Sequence, residues 1–408
     1  VTTFDDARRI ILQQMAPLGP ERVPTLAAAG RVLATDCIAP WDMPQWDNSA
    51  MDGYAVRTAD CADLPVTLAV RGYIPAGETA DAPLQPGCAI RIMTGAPIPA
   101  GADAVVPVEE TEEGDGTVRL LEPVKAGQHI RFRGEDVQAG QVVIPAGTSI
   151  RSPQAGMLAS MGKGMVAVHR RPTVAIVSTG DELLELGEPP SPGMIINSNS
   201  IALAAAVTEA GGIPLVLGIA RDNRESHRQI LSQGLQADML VTSAGVSAGD
   251  RDLVREVLAE LGVRQLFWKV EIKPGRPTAF AMAGRVPVFS LPGNPVSSMI
   301  TFEQFVRPAI LRMTGHRGVF RPLATAVLTH EVRKKPGRLH FHRVVLRHEE
   351  GRLLASSSGD QNTGIMTTMV NANAIALLPA DRDHFPAGSE VTVQILDRSF
   401  EMLPEVTL

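Results

Sequence analysis

From Pro172 onward the chain alternates short apolar runs with stretches of helical period, and few folds tolerate that alternation. Residues 173–178 read as a strand, followed by T-G-D-E-L at 179–183. Asn197–Asn199 can cap a helix over 201–210, which Gly211 and Gly212 stop. Then come a strand at 214–219, a loop at 220–223, a helix at 224–235 and a strand at 239–241. Leu253, Val254, Val257, Leu258 and Leu261 repeat at helical spacing after a small-residue loop. A strand through 266–272 leads into K-P-G-R-P; strands at 278–282 and 287–290 lead into L-P-G-N-P-V-S-S and a helix to about Met313. Such alternation predicts a mostly parallel sheet with helices on both faces, and ligands at the carboxyl ends of its strands. The polar loops bearing Asp181 and Glu182, Asp222, Asp250 and Asp252, Lys273, and Asn294 are all expected on that one edge.

The loop V-T-S-A-G-V-S-A-G-D-R-D at 241–252 holds nothing larger than valine through Gly249. Gly245 and Gly249 let backbone N–H groups turn toward a ligand. Thr242, Ser243 and Ser247 add hydroxyls, and a helix N-terminus follows, a combination that suits phosphate. Asp250 and Asp252 then suggest a hard cation beside it, most simply Mg²⁺. The competing reading is a helix-capping loop with Asp252 as N-cap. Lys269 and Lys273 are four apart; on a strand they share one face with Glu271 between them, and suit an oxyanion. A solvated edge strand is the plainer account of Lys269.

At 408 residues, two to four domains are expected. A net charge of -6 and 4% aromatic residues give no support for nucleic-acid or membrane-surface binding. Cys37, Cys61 and Cys88 are scattered and odd in number, without zinc spacing, which suggests a reducing compartment. No apolar run reaches membrane-spanning length, and the first residues mix Asp5, Asp6, Arg8 and Arg9 with apolar positions. The expectation is a soluble, cytoplasmic protein.

The N-terminal third opens with an amphipathic helix over 3–15 and a short strand near 31–34. P-W-D-M-P-Q-W-D-N-S-A-M-D-G-Y-A-V at 40–56 reads as a loop, dense in acids and carrying two of the three tryptophans. Function is favoured there over Asx-turn chemistry with anchoring aromatics. Short strands between 64 and 144 suggest a small barrel or sandwich. Its polar loops are R-I-M-T-G-A-P-I-P at 91–99 and H-I-R-F-R-G-E-D at 129–136; an exposed strand face is the alternative for Arg131 and Arg133. After Arg321 the texture is β again as far as Leu396. The Arg333-Lys334-Lys335 run reads as a solvated face. His340, His342 and His348 lack metal-site partners at suitable spacing.

In this order, D-N-S-A-M-D-G-Y-A, R-I-M-T-G-A-P-I-P-x-G-A-D-A-V-V-P, R-x-R-G-E-D, S-T-G-D-E-L, K-P-G-R-P and L-P-G-N-P-V-S-S resemble the molybdopterin molybdenumtransferase family, MoeA and the gephyrin E domain. The resemblance spans nearly the whole chain and is weakest after Arg321. It implies a multidomain α/β plus β fold: an elongated N-terminal α/β segment at 1–39 and 145–171, an inserted β domain at 40–144, a molybdopterin-binding α/β domain at 172–318 and a C-terminal β domain at 319–408. It implies insertion of molybdenum from molybdate into adenylylated molybdopterin with loss of AMP, assisted by Mg²⁺. A homodimer sharing its site between subunits is implied too, with contact to the adenylyltransferase that supplies the substrate.

By matching motifs, catalytic roles fall on Asp52, Thr94, Glu182, Lys269 and Lys273. Substrate binding falls on Arg131, Asp136, Ser243, Gly245, Ser247, Gly249, Pro292, Gly293 and Asn294, with Arg343 and Thr363 in the looser C-terminal part. Metal binding falls on Asp222, Asp250 and Asp252. Two positions depart from the family pattern: Ala244 stands in its usual G-G-V-S, and Arg276 in its usual K-P-G-K-P. The alternatives are a non-catalytic gephyrin-like scaffold and an adenylyltransferase-like enzyme; four matched acids and two lysines argue against the first, and the N-terminal β region against the second.

Overall fold

The computed structural model describes residues 1–244, 253–398 and 401. The chain forms two compact units: Val1–Ala34, Gly147–Arg151 and the chain from Met165 onward make one, Thr35–Ala146 with Ser152–Gly164 the other.

The first unit is built on a six-stranded mixed sheet in the order Ile213–Ala220, Thr173–Thr179, Met239–Ser243, Val286–Leu291, Ala279–Ala283, Arg264–Phe267. The first four strands run parallel, and the last two close the sheet as antiparallel partners. Met239–Ser243 is buried throughout, as a central parallel strand covered on both faces must be. Helices Ser198–Glu209, Arg224–Gly234 and Leu253–Glu260 follow three of the parallel strands. Asn197 and Asn223 cap the first two through their side-chain oxygens. The last helical stretch is interrupted: Pro295–Thr301 and Arg307–Met313 are α-helical, and Phe302–Val306 is a π turn. Pro308 has no N–H to give the preceding turn, which accounts for the break at this point.

One expected strand is divided. Residues 266–272 read as continuous, yet Arg264–Phe267 ends in the central sheet and Ile272–Lys273 pairs in parallel with Leu339–Glu349. The N-terminus causes the division: Thr2 donates to the Lys269 carbonyl and accepts from the Glu271 N–H, both at 2.9 Å. Val270 also donates to the Arg276 carbonyl at 3.0 Å. Lys269 and Lys273 therefore do not share one strand face, and Lys273 is not on the edge of the parallel sheet.

The C-terminal strands close on themselves. Leu339–Glu349 pairs with both Arg352–Ser357 and Ala374–Leu378, while Leu323–Leu328 and Glu390–Ile395 complete the ring. Closure removes free sheet edges, and Val344, Leu346, Ala355, Ala376 and Val393 fill the interior.

In the second unit a six-stranded sheet runs Ala104–Pro107, Gly53–Val56, Cys88–Ile92, Val66–Ile74, Thr117–Leu120, Thr111–Gly114. Tyr54, Val56 and Val106 belong to one apolar cluster, Ala55 and Val105 to another, as the period of two dictates. The stretch 40–56 was expected to be all loop, but Gly53–Val56 is a fully buried strand. Gly53 makes this pairing feasible, because a Cβ there would lie 2.0 Å from the Val106 carbonyl oxygen. Among the described residues no helix is long and apolar enough to cross a membrane.

Candidate functional site

The parallel strands of the first unit deliver their loops to one edge, and a cavity of about 390 Å³ lies there. Ser178 stands one residue before the end of one strand, Ser243 ends the next, and Pro292, Gly293 and Asn294 follow a third. Asn197 and Asn199 enter from the start of helix Ser198–Glu209, and among the described residues Glu182 is the one charged residue of the lining. Asp181 and Asp222 meet on adjacent loops of this edge. The Asp222 N–H donates to Asp181 Oδ1 at 3.0 Å, and the Asp181 N–H to Asp222 Oδ2 at 3.4 Å. Both carboxylates are exposed, so they offer hard oxygen donors of the kind that binds Mg²⁺ together with substrate phosphates. Among the described residues no group of three or more such ligands is assembled. Gly245, Ser247, Gly249, Asp250 and Asp252 lie outside the described residues.

A second, cationic cavity of about 180 Å³ lies against the C-terminal barrel, lined by Lys273, Arg333, Lys334, His340, His342, Arg343, Gln361 and Thr363. Thr363 ties it to the first: the Asn294 carboxamide donates to Thr363 Oγ1 at 2.9 Å, and the Val296 N–H to the Thr363 carbonyl at 3.3 Å. Arg343 is buried within the barrel wall. Its guanidinium donates to Thr368 Oγ1 at 2.8 Å and to the Asp360 and Asn362 carbonyls at 3.2 and 3.3 Å. It thus shapes the 358–364 loop that presents Thr363. Lys269 is half-buried, and Lys273 is exposed.

Burial, then the positive charge of Lys334 and Lys273, pushes the His340 pKa down to about 4; burial, then His330, does the same for His342. The ordinary value is 6.5, so as pH falls the unfolded chain takes up these protons before the folded one. The two histidines contribute stability that is complete above pH 6.5 and is lost as pH falls through about 4. The melting temperature should drop across that window, and the drop should be shallower in His340→Asn/His342→Gln; an equal slope in thermal melts would contradict this.

In the second unit Asp52 and Thr94 come together. Asp52 Oδ1 accepts from both the N–H and the hydroxyl of Thr94 at 2.7 Å. The backbone N–H first, and then the hydroxyl, hold this carboxyl below the usual carboxylate range. Arg131, on the short strand Ile130–Arg131 that pairs with Asn48–Ser49, and Asp136, on the loop after it, are both exposed, and Arg133 of that loop pairs with Asp42 at 2.6 Å.

Three family models account for most of the chain: the MoeA N-terminal region (domain I and II) at residues 2–162, a probable molybdopterin binding domain at 175–312 and the MoeA C-terminal region (domain IV) at 325–396. The chain is 38% identical over 401 residues to molybdopterin molybdenumtransferase 2 of Mycobacterium tuberculosis, covering 96% of this chain and 98% of that one. The chain belongs to the molybdopterin molybdenumtransferase family. A further family member, from Haemophilus influenzae, is 37% identical over 397 residues, with 96% and 98% covered. Among solved structures, a molybdopterin biosynthesis MoeA protein from Pyrococcus horikoshii matches with a TM-score of 0.83 and 31% identity, over 97% of this chain and 100% of that one.

Against the family's usual glycine, Ala244 has a physical consequence. It sits at φ 72°, in the left-handed region. A side chain there costs on the order of 1 kcal/mol, and glycine none. The Ala244 Cβ also stands where a Cβ on Gly293 would meet it at 3.1 Å. Ala244→Gly should therefore stabilise the fold by only about 0.5 kcal/mol, because its added unfolded-state freedom offsets much of the relieved strain. Urea denaturation checks this, and a loss of stability would show that the alanine methyl makes favourable contacts.

Asn197 and Asn199 were read from the sequence only as cap residues, yet both line the larger cavity. Their N-S-N-S run was a signal, but helix capping accounted for it fully. Lys334 and His340 also line the smaller cavity, which the sequence did not show, because a basic run looks like solvated surface until distant segments pair beside it.

Proposed function

We propose that this chain inserts molybdenum from molybdate into adenylylated molybdopterin and releases AMP, with molybdate as a substrate. The observation that carries this is the pair of cavities joined through Asn294 and Thr363. One, among the described residues, carries only Glu182 as a charged group and is sized for a heterocycle; the other concentrates lysine, arginine and histidine. Molybdate is an oxyanion, and the second cavity offers the cations and hydroxyl it needs. Within it Lys273 and Thr363 orient the oxyanion, and Lys334 adds charge. Ser243, Pro292, Gly293 and Asn294 border the pterin side, joined in the proposal by Gly245, Ser247 and Gly249. Glu182 is placed to handle a proton at that mouth. Asp52, Thr94, Arg131, Asp136 and Lys269 keep the catalytic and binding roles the family resemblance gives them.

Asp222, with Asp250 and Asp252, would hold Mg²⁺, which when bound supplies charge neutralisation at the phosphoanhydride. Asp222→Asn should raise the Mg²⁺ needed for half-maximal turnover several-fold. An unchanged Mg²⁺ dependence would leave Asp222 as a partner of the Asp181 backbone only. We propose further that the chain works in the cytoplasm as a homodimer whose site draws on both subunits, and receives substrate from an adenylyltransferase. The four segments at 1–39 with 145–171, 40–144, 172–318 and 319–408 are the proposed domains. Mass spectrometry of the pterin after incubation with adenylylated molybdopterin and molybdate tests the function. Molybdenum-bearing pterin is expected; metal-free pterin alone would contradict it.

A further inference from the structure

Of the three carboxamides that line the larger cavity among the described residues, Asn294 is turned to Thr363, and Asn197 and Asn199 are fixed with opposite polarity. Asn197 is only 3% exposed. Its Oδ1 accepts from the Ser178 hydroxyl at 2.8 Å and from the Ser200 N–H at 3.3 Å. A backbone N–H can only donate, so the Asn197 amide cannot be turned round. Its nitrogen is left buried and without a partner among the described residues. A buried N–H in that state costs free energy that a ligand acceptor would relieve. Asn199 is arranged the other way. Its Nδ2 donates to Ser243 Oγ at 2.8 Å and to the Gly293 carbonyl at 2.7 Å. A carbonyl can only accept, so Asn199 is left to present its oxygen.

We infer that Asn197 and Asn199 determine ring specificity: Asn197 donates to an acceptor, and Asn199 accepts from a donor, on one edge of a planar nitrogen heterocycle. The inference rests on the function proposed above. An ionised phosphate or molybdate would satisfy Asn197 but set negative oxygen against the Asn199 oxygen. A heterocycle carrying a carbonyl beside a ring N–H satisfies both. Both the pterin and the adenine of the substrate carry adjacent donors and acceptors. The pterin is assigned here because its pyrimidinone has the neutral carbonyl and N–H side by side. Sites built to hydrogen-bond a ligand N–H discriminate strongly against analogues lacking it, because their own polar atoms are then stranded.

Asn197→Asp is the direct test. Aspartate keeps the helix cap, since its oxygen still accepts from Ser200, but replaces the donor with an acceptor. Calorimetry with molybdopterin and AMP as separate probes should show molybdopterin binding weakened at least ten-fold and AMP binding changed less than two-fold. A loss confined to AMP would overturn the pterin assignment in favour of adenine, and no loss with either probe would overturn the inference altogether. If wild-type protein binds neither probe, the proposed function itself fails, which is visible before any variant is made. A second measurement does not depend on a variant folding: pterin against 3-methylpterin on the wild-type chain. Loss of the N–H should weaken binding at least ten-fold, and equal affinity would refute the role of Asn199.

Discussion

Lys273→Ala is expected to lower turnover about 100-fold, equivalent to roughly 2.7 kcal/mol of transition-state stabilisation. Lys273 faces the cationic cavity from an exposed position at the start of a Pro-Gly turn. Its ammonium is thus free to approach an oxyanion in this cavity. Lys273→Arg should recover part of the loss, because the charge returns while the compact donor geometry does not. Lys269→Ala should cost less. The N-terminal Thr2 holds the backbone beside Lys269, and its half-buried side chain lies off the strand that carries Lys273. Steady-state kinetics on folded variants decides the matter; wild-type turnover in Lys273→Ala would make this lysine a surface residue before a turn.

Arg343→Met should destabilise the protein by about 3 kcal/mol, since it strands acceptors that the guanidinium now satisfies. The side chain is 1% exposed, and burial holds its pKa below the ordinary value. Three acceptors converge on it: a hydroxyl and two carbonyls of the loop that presents Thr363. Methionine fills similar volume without a donor, so a loss reports hydrogen bonding and not a cavity. Arg343→Lys should rescue only a minor share, because an ammonium cannot reach all three acceptors in one plane. Urea denaturation measures the effect, and a loss under about 1 kcal/mol would show that the loop does not depend on this residue.

How much the sequence disclosed depends on the distance over which each signal acts. The parallel strands and their helices were legible because period and capping are local: Asn197 caps its helix as expected, and Asn223, read only as the end of a loop, caps the next. The loops of Asp181, Asp222 and Asn294 followed from that order alone. The division of 266–272 was not legible, since Thr2, far away in sequence, inserts beside it. Nor was the strand Gly53–Val56, where Asp and Gly signalled a loop but a close approach to Val106 required the glycine. The cationic cavity depends on long-range pairings that no local pattern records: Ile272–Lys273 beside Leu339–Glu349 sets Lys273 against His340, and Val332–Arg333 beside His384–Phe385 places Lys334. The opposed polarity of Asn197 and Asn199 was hidden as well, because it depends on which atoms face Ser178, Ser243 and Gly293.

The most direct measurement is AMP release in a single turnover, with purified protein in excess over adenylylated molybdopterin and with Mg²⁺ present throughout. Adding molybdate should release AMP stoichiometrically with substrate, sulfate in its place should release little, and Lys273→Ala should slow the molybdate-dependent phase about 100-fold. Absence of AMP release with molybdate, or release at the same rate with and without it, would contradict the account that the joined cavities couple oxyanion binding to cleavage of the adenylylated pterin.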